Sequence, residues 1–205
     1  MVLMRGTQQQ IMGQIAAKCP KACDVLDTIG GLGGQMMPYQ YAALYMLAQP
    51  FDGGRILEIG CYKGKSALVM CLAAPHAHIT TMSPSSSEAH TTMRTLRERR
   101  AQVLVTRSVD YLAAYDGPAF DMIYVDGDHK RVVADLPWFN WLRVGGLMLF
   151  HDYAPEGARV PCPPVYVGVN LLAQALGRPL DVLIVDDGQV GMAGMYRGAG
   201  ETWES

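Results

Sequence analysis

Five ionisable side chains stand just past two apolar runs of this chain. In FDMIYVDGDHK the run leads into Asp126, Asp128 and His129, and in RVGGLMLFHDY it leads into His151 and Asp152. Taken singly, each has an ordinary role open to it: Asp128 as a helix cap, His151 as a satisfied core histidine. Taken together they point to a site, because unpaired acids held close cost energy unless a cation or substrate compensates. Carboxylates suit a hard divalent cation, whereas two histidines beside two acids also suit iron or zinc. A cation held there lowers the pKa of a bound hydroxyl, and a histidine titrating near neutrality takes the proton.

The elements that must position these groups are legible as a rhythm. Apolar runs recur at 55–59, 78–82, 102–105, 121–125 and 146–150, separated by helix-like segments. Continuous apolarity predicts strands buried on both faces, and their alternation with helices predicts a parallel sheet covered on both sides. In such a sheet, ligands bind beyond the carboxyl ends of the strands. The first of those ends is GGRILEIGCYKGKSALVM, residues 53–70. Gly60 and Gly64 allow a tight turn and close backbone approach, and the following helix offers free N–H groups. The spacing is neither G-x-G-x-x-G nor G-x-x-x-x-G-K-[ST], which weakens the dinucleotide and triphosphate readings. Near the end of the chain, LDVLIVDDGQVGMAGMYR reads as two strands joined at Asp187-Gly188. That hairpin predicts one strand running backwards near a sheet edge, unlike an all-parallel dinucleotide-binding sheet.

LEIGCYKGKSA resembles the first motif, E-x-G-x-x-x-G, of the class I S-adenosylmethionine-dependent methyltransferases. VDGDH together with GG-x-x-x-FHDY resembles one branch of them, the divalent-metal-dependent O-methyltransferases that act on macrolide sugars, together with relatives described as cephalosporin-hydroxylase-like. The resemblance covers residues 38–155 well and the last 50 loosely. It implies a doubly wound, mostly parallel α/β sheet of seven strands with an antiparallel C-terminal hairpin. It implies that S-adenosylmethionine is held by Glu58, Gly60 and Gly64, with Cys61, Tyr62 and Ser66 in the same loop. Arg107 and Ser108 fall where the family flanks the adenine, and Asp126 adjoins the cofactor. Ser83 stands where the family usually has an acid on the ribose hydroxyls; a serine makes one such bond, not the charge-assisted pair of a carboxylate. SPSSS after it reads equally as a turn capping the next helix. Asp126, Asp152 and His151 are implied as the metal residues, His129 as general base with Asp126 as its catalytic companion, and magnesium as the metal.

The remaining features set bounds. A chain of 205 residues, 50% hydrophobic and 18% charged, has length and apolarity for one domain with a sizeable core. It divides into a helical N-terminal segment and lid, 1–50, and a cofactor-binding domain, 51–205. Helical spacing covers 7–18 and 38–49, with DTIGGLGGQMMP as a Gly-rich connector between them. Met36, Met37 and Tyr39 are candidates for the lid and equally for core packing, and the Pro- and Gly-rich 153–165 stretch is a candidate substrate cover. A net charge of −2 gives no reason to expect nucleic acid or a membrane surface, and the basic cluster Arg94–Arg100 reads as a solvated helix face. No apolar run reaches the ~20 residues of a membrane span. Five cysteines, with Cys19 and Cys23 lacking a second pair at metal spacing, argue for a reducing compartment, and the cytoplasm is the expected location. The expected partner is a small hydroxylated acceptor, with the N-terminal segment as a candidate homodimer contact. Two other classes stay open: hydrolytic or oxidative metal chemistry on the same fold, and a non-catalytic cofactor-binding protein.

Overall fold

The structure is a computed structural model that describes residues 1–156, 158, 162–186 and 189–204. Its centre is an eight-stranded sheet in the order β1-β7-β8-β6-β5-β2-β3-β4. The four strands that matter most are β2 (Arg55–Ile59), β3 (His78–Ser83), β5 (Phe120–Val125) and β6 (Leu142–Tyr153); β4 (Ala101–Val105) closes one edge. Each occupies the place the apolar runs predict. β5 is buried along its whole length, as a central strand covered on both faces must be.

The C-terminal hairpin pairs β7 (Val182–Asp186) with β8 (Gly191–Tyr196), and β8 lies antiparallel to β6. The expected turn at Asp187-Gly188 lies outside the described residues. The hairpin does not form the edge, because a strand that the helical spacing concealed does. β1 (Val2–Gly6) pairs in parallel with β7, Val2 opposite Val182 and Gly6 opposite Asp186, and brings the sheet to eight strands rather than seven. Only Met4 of those five residues is buried, so β1 carries little apolar signal of its own.

Two helical layers cover the sheet. On one face lie α1 (Gln8–Lys18), α2 (Lys21–Ile29), α3 (Pro38–Ala48) and α4 (Lys65–Ala73); their Ile11, Ile15, Val25, Leu44 and Val69 share a core with Ile56, Tyr124 and Leu149 of the sheet. The first 50 residues are thus part of this core. Thr7 and Gln10 close a capping box at the start of α1. α2 extends three residues into the stretch read as a connector, because Val25 and Ile29, one helical turn apart, both bury. The connector proper is 30–37. On the other face lie α6 (Ser108–Ala113), α7 (Val132–Asp135) and α8 (Pro163–Ala175), and Val132, Val165 and Val169 share a core with Ile123, Met148 and Phe150. Among the described residues no helix is long and apolar enough to cross a membrane.

The chain runs outward from β2 to β3 and β4, then crosses back to β5 on the other side of β2. The crevice between two such directions is where doubly wound sheets hold ligands. Gly60 ends β2 at that crevice with φ of +100°, and a Cβ there would run into the Asp126 carbonyl. Gly53 has φ of +82° with open space around it. Gly53→Ala is therefore expected to cost about 1 kcal/mol, the strain of a left-handed residue alone, and Gly60→Ala about 3 kcal/mol or more, since backbone must also move. Urea unfolding of the two variants checks this; equal losses would show that the close approach of β2 and β5 does not matter.

Candidate active site

Four adjacent strand ends open onto one cavity of about 490 Å³. Its walls carry Gly60, Cys61, Tyr62 and Ser66 from the first loop and α4, and Ser83 and Glu88 from β3 and the helix after it, α5 (Ser86–Thr95). Asp126, Asp128, His129, His151 and Asp152 close the other side. The connector supplies Gly34, Gln35 and Met36, and α3 supplies Tyr41. Of the lid candidates, Met36 lines the cavity. Tyr39 lies in the core, its hydroxyl donating to the Val190 carbonyl at 3.0 Å, and Met37 is exposed. Part of the 153–165 stretch (157 and 159–161) lies outside the described residues.

Glu58 does not line this cavity; it works from beneath. It is fully buried and accepts hydrogen bonds from Ser66 on α4, at 2.5 Å, and from Thr81 on β3. One carboxylate thereby ties the loop's far end to the neighbouring strand. Burial pushes its pKa up to about 7, against the two hydroxyls that favour the charged form.

The acids and histidines form a layered cluster. Ligand atoms of Asp126, His129 and Asp152 all lie within 4.8 Å of one another, about the spread of one ion's ligands. His129 Nε2 is 2.9 Å from Asp152 Oδ2. His151 stands one layer deeper, with Nδ1 3.0 Å from Asp126 Oδ1 and 3.2 Å from Asp152 Oδ1. These contacts lie off the line of a good hydrogen bond, and its Nε2 has no partner among the described residues. Burial alone would push the His151 imidazole down, but Asp126 and Asp152 outweigh it and raise the pKa to about 10. The buried imidazole thus faces both carboxylates, which favour its charged form. The Asp152 hydrogen bond raises His129 as well. Burial opposes the charge of Asp152, yet His129 and His151 hold its carboxyl well below the usual range. Asp152 sits at a bulge in β6 with φ of +55°, an unusual conformation that Asp tolerates better than most. Asp128 is largely exposed and accepts from the Lys130 amide at 3.1 Å, so it caps the turn that carries His129.

A second cavity of about 260 Å³ adjoins the first, walled by Ile59, Met82, Arg107, Ser108, Val109 and Asp135. Arg107 turns its guanidinium onto Asp110 at 2.7 Å, and Ser108 accepts from the Trp138 indole at 2.8 Å. Asp135 is buried there, and burial pushes it up to about 6.

Several wall residues carried no role in the sequence reading, Lys65, Gln35 and Glu88 among them. Lys65, on the cavity wall, donates to the Leu32 carbonyl at 3.0 Å and lies 4.8 Å from the Tyr41 ring centroid, which pins the connector over the loop. Gln35 belongs to a Gly-rich run with no periodicity to place it. Glu88 accepts from the Ser83 hydroxyl at 2.6 Å; in sequence it stands three residues after an N-cap serine and reads as a helix-capping acid.

Glu58 generates a prediction about pH. Its folded pKa lies above the ordinary glutamate value of 4.5, so the folded chain binds this proton more tightly than the unfolded one. The stability it contributes is complete below pH 4.5 and is lost as pH rises through about 7. Between pH 5 and pH 8 wild type should lose about 2–3 kcal/mol relative to Glu58→Gln. Urea unfolding at both pH values measures this, and parallel pH slopes would contradict it.

The family model described as "Methyltransferase domain" matches residues 57–153, from β2 to the end of β6. Catechol O-methyltransferase of Mycobacterium tuberculosis (strain ATCC 25618 / H37Rv) is 26% identical over 122 residues, a match that spans 57% of this chain and 56% of that protein. The O-methyltransferase TomG of Streptomyces achromogenes, involved in tomaymycin synthesis and solved with SAM, superposes with a TM-score of 0.65 at 21% identity, over 87% of this chain and 89% of its own. The O-methyltransferase of Bacillus cereus, solved with SAH, gives 0.64 at 18% identity, over 88% and 91%. The chain has the Rossmann-like α/β fold of these O-methyltransferases, and its sequence from β2 to β6 matches the methyltransferase-domain family model.

Proposed function

We infer that the chain is an S-adenosylmethionine-dependent O-methyltransferase that methylates a hydroxyl of a small molecule with the help of a divalent cation. One observation carries this reading: the glycine loop ending β2 and the Asp126–His129–Asp152 cluster line one and the same cavity. The methyltransferase-domain match and the likeness to O-methyltransferases solved with SAM or SAH support it.

The donor set fits a metal. Two carboxylates and an imidazole offer ligand atoms within 4.8 Å of one another, which satisfies a hard cation through its oxygens. Asp126 and Asp152 would hold it, and it would supply a lowered pKa for a hydroxyl beside it. S-adenosylmethionine, when bound, supplies an electrophilic methyl group.

The chain's own residues do the rest. Gly60 and Gly64 let the backbone approach a ligand closely, and Ser66, anchored by Glu58, fixes the start of α4. His129 stands at the cavity rim with Nε2 on Asp152, half-exposed and able to accept an acceptor's proton and release it to solvent. Asp152 orients that ring and favours its charged form. His151 keeps Asp126 and Asp152 from repelling each other while the cavity stands open. The connector 30–37, pinned by Lys65, covers the cavity and limits water. The imidazole in the donor set also suits zinc or iron, and metal analysis of protein purified without added metal separates that reading.

The test is transfer of labelled methyl from S-adenosylmethionine to a panel of catechols and glycosides with Mg²⁺, alongside calorimetry with S-adenosylhomocysteine. Asp152→Ala and His129→Ala should lower transfer by about 10²- to 10⁴-fold, the usual scale for losing a general base, while S-adenosylhomocysteine still binds. Chelation should stop transfer in wild type. Normal transfer by both variants would sink the mechanism, and no binding of S-adenosylhomocysteine would sink the cofactor assignment.

A further inference from the structure

Ser83 ends β3 where a ribose-binding acid was expected, and its hydroxyl is already engaged. It donates its one proton to Glu88 Oε2 at 2.6 Å and accepts from the Ser85 amide at 3.1 Å. A hydroxyl with its only proton committed has little left to offer two ribose hydroxyls.

Glu88 is placed differently. It is the third residue of α5, after the N-cap Ser85, whose side chain accepts from the Glu88 amide. An acid at this position ordinarily turns back to take the N-cap amide. Here Ser83 Oγ takes that amide, so the Glu88 carboxylate is left to face the cavity. Its Oε1 has no hydrogen-bond partner among the described residues, and among them it forms no ion pair. Ser83, Pro84, Ser85 and Glu88 line the cavity beside Gly60 and Cys61, whose strand β2 pairs with β3.

We propose that Glu88, reaching in from α5, accepts both hydroxyls of the cofactor's ribose, and that Ser83 is the positioning residue that fixes its carboxylate. This rests on the S-adenosyl reading above. A carboxylate takes two neighbouring O–H donors side by side, each bond strengthened by its charge. Discrimination between ribose and deoxyribose thereby belongs to a helix side chain rather than to the strand end.

Calorimetry on the full chain with S-adenosylhomocysteine and its 2′-deoxy analogue tests this. Wild type should prefer the ribose form by about 10- to 100-fold, the scale of a hydrogen bond to a charged group. Glu88→Gln, of the same size, and Glu88→Ala should lose that preference and bind both ligands about equally. Ser83→Ala should weaken ribose binding several-fold but keep the preference, because the carboxylate remains. A Glu88→Gln protein with wild-type preference and an unchanged unfolding midpoint overturns the proposal. So does a wild type that binds both ligands equally, with the S-adenosyl reading intact. A wild type that binds neither overturns that reading, and this proposal with it.

Discussion

Two carboxylates at the ends of neighbouring strands set the terms for this molecule. Asp126 follows β5 and Asp152 lies in β6, and the parallel pairing of those strands brings their oxygens together. Such a pair is repulsive unless positive charge stands near it. The fold places two imidazoles against the pair: His151 from the buried layer, on both acids, and His129 from the rim, on Asp152. The bulge and left-handed backbone at Asp152 turn one residue toward the cavity and its neighbour toward the core. The open face of the pair is left to whatever enters the cavity.

A second buried carboxylate governs the opposite wall. Glu58 reaches neither solvent nor the cavity, yet it joins α4 to β3 through Ser66 and Thr81. The loop of residues 60–64 is thus held at both ends, by the Gly60 amide on the Met82 carbonyl and by Ser66 on Glu58. Glycines give the loop its freedom of shape; the acid beneath removes its freedom of position. The connector then closes over it, held by Lys65 and, through Tyr39 and Gln40, by the Val190 carbonyl.

The sequence was most legible where burial is two-sided. β2 and β5 are mostly apolar and lie where their runs predict, and β3 buries five of its six residues, threonines included. β1 was not legible because an edge strand with one buried residue has no pattern to detect. The acids and histidines were legible as a group, but not their layering. His151 and His129 are chemically alike in sequence; His151 lies inside the buried strand β6, whereas His129 starts the turn after β5. Glu88 was hidden for another reason. Its spacing from Ser85 satisfies a helix-capping pattern, and only the Ser83 hydroxyl, placed by tertiary structure, frees it.

The parallel strand at the sheet's edge also constrains how the chain acquires its structure. β1 has no partner until β7 exists, and the Gln8–Asp186 hydrogen bond beside it joins residues 178 positions apart. During synthesis, therefore, Val2–Gly6 emerges first among these strands and docks among the last. Closing so long a loop is slow relative to the local pairing of β2 with β3. Until then α1 and α2 cover an incomplete sheet, and a nascent chain stalled before β7 would expose the Met4 face and a raw strand edge, a surface that chaperones recognise and that other nascent copies could pair with.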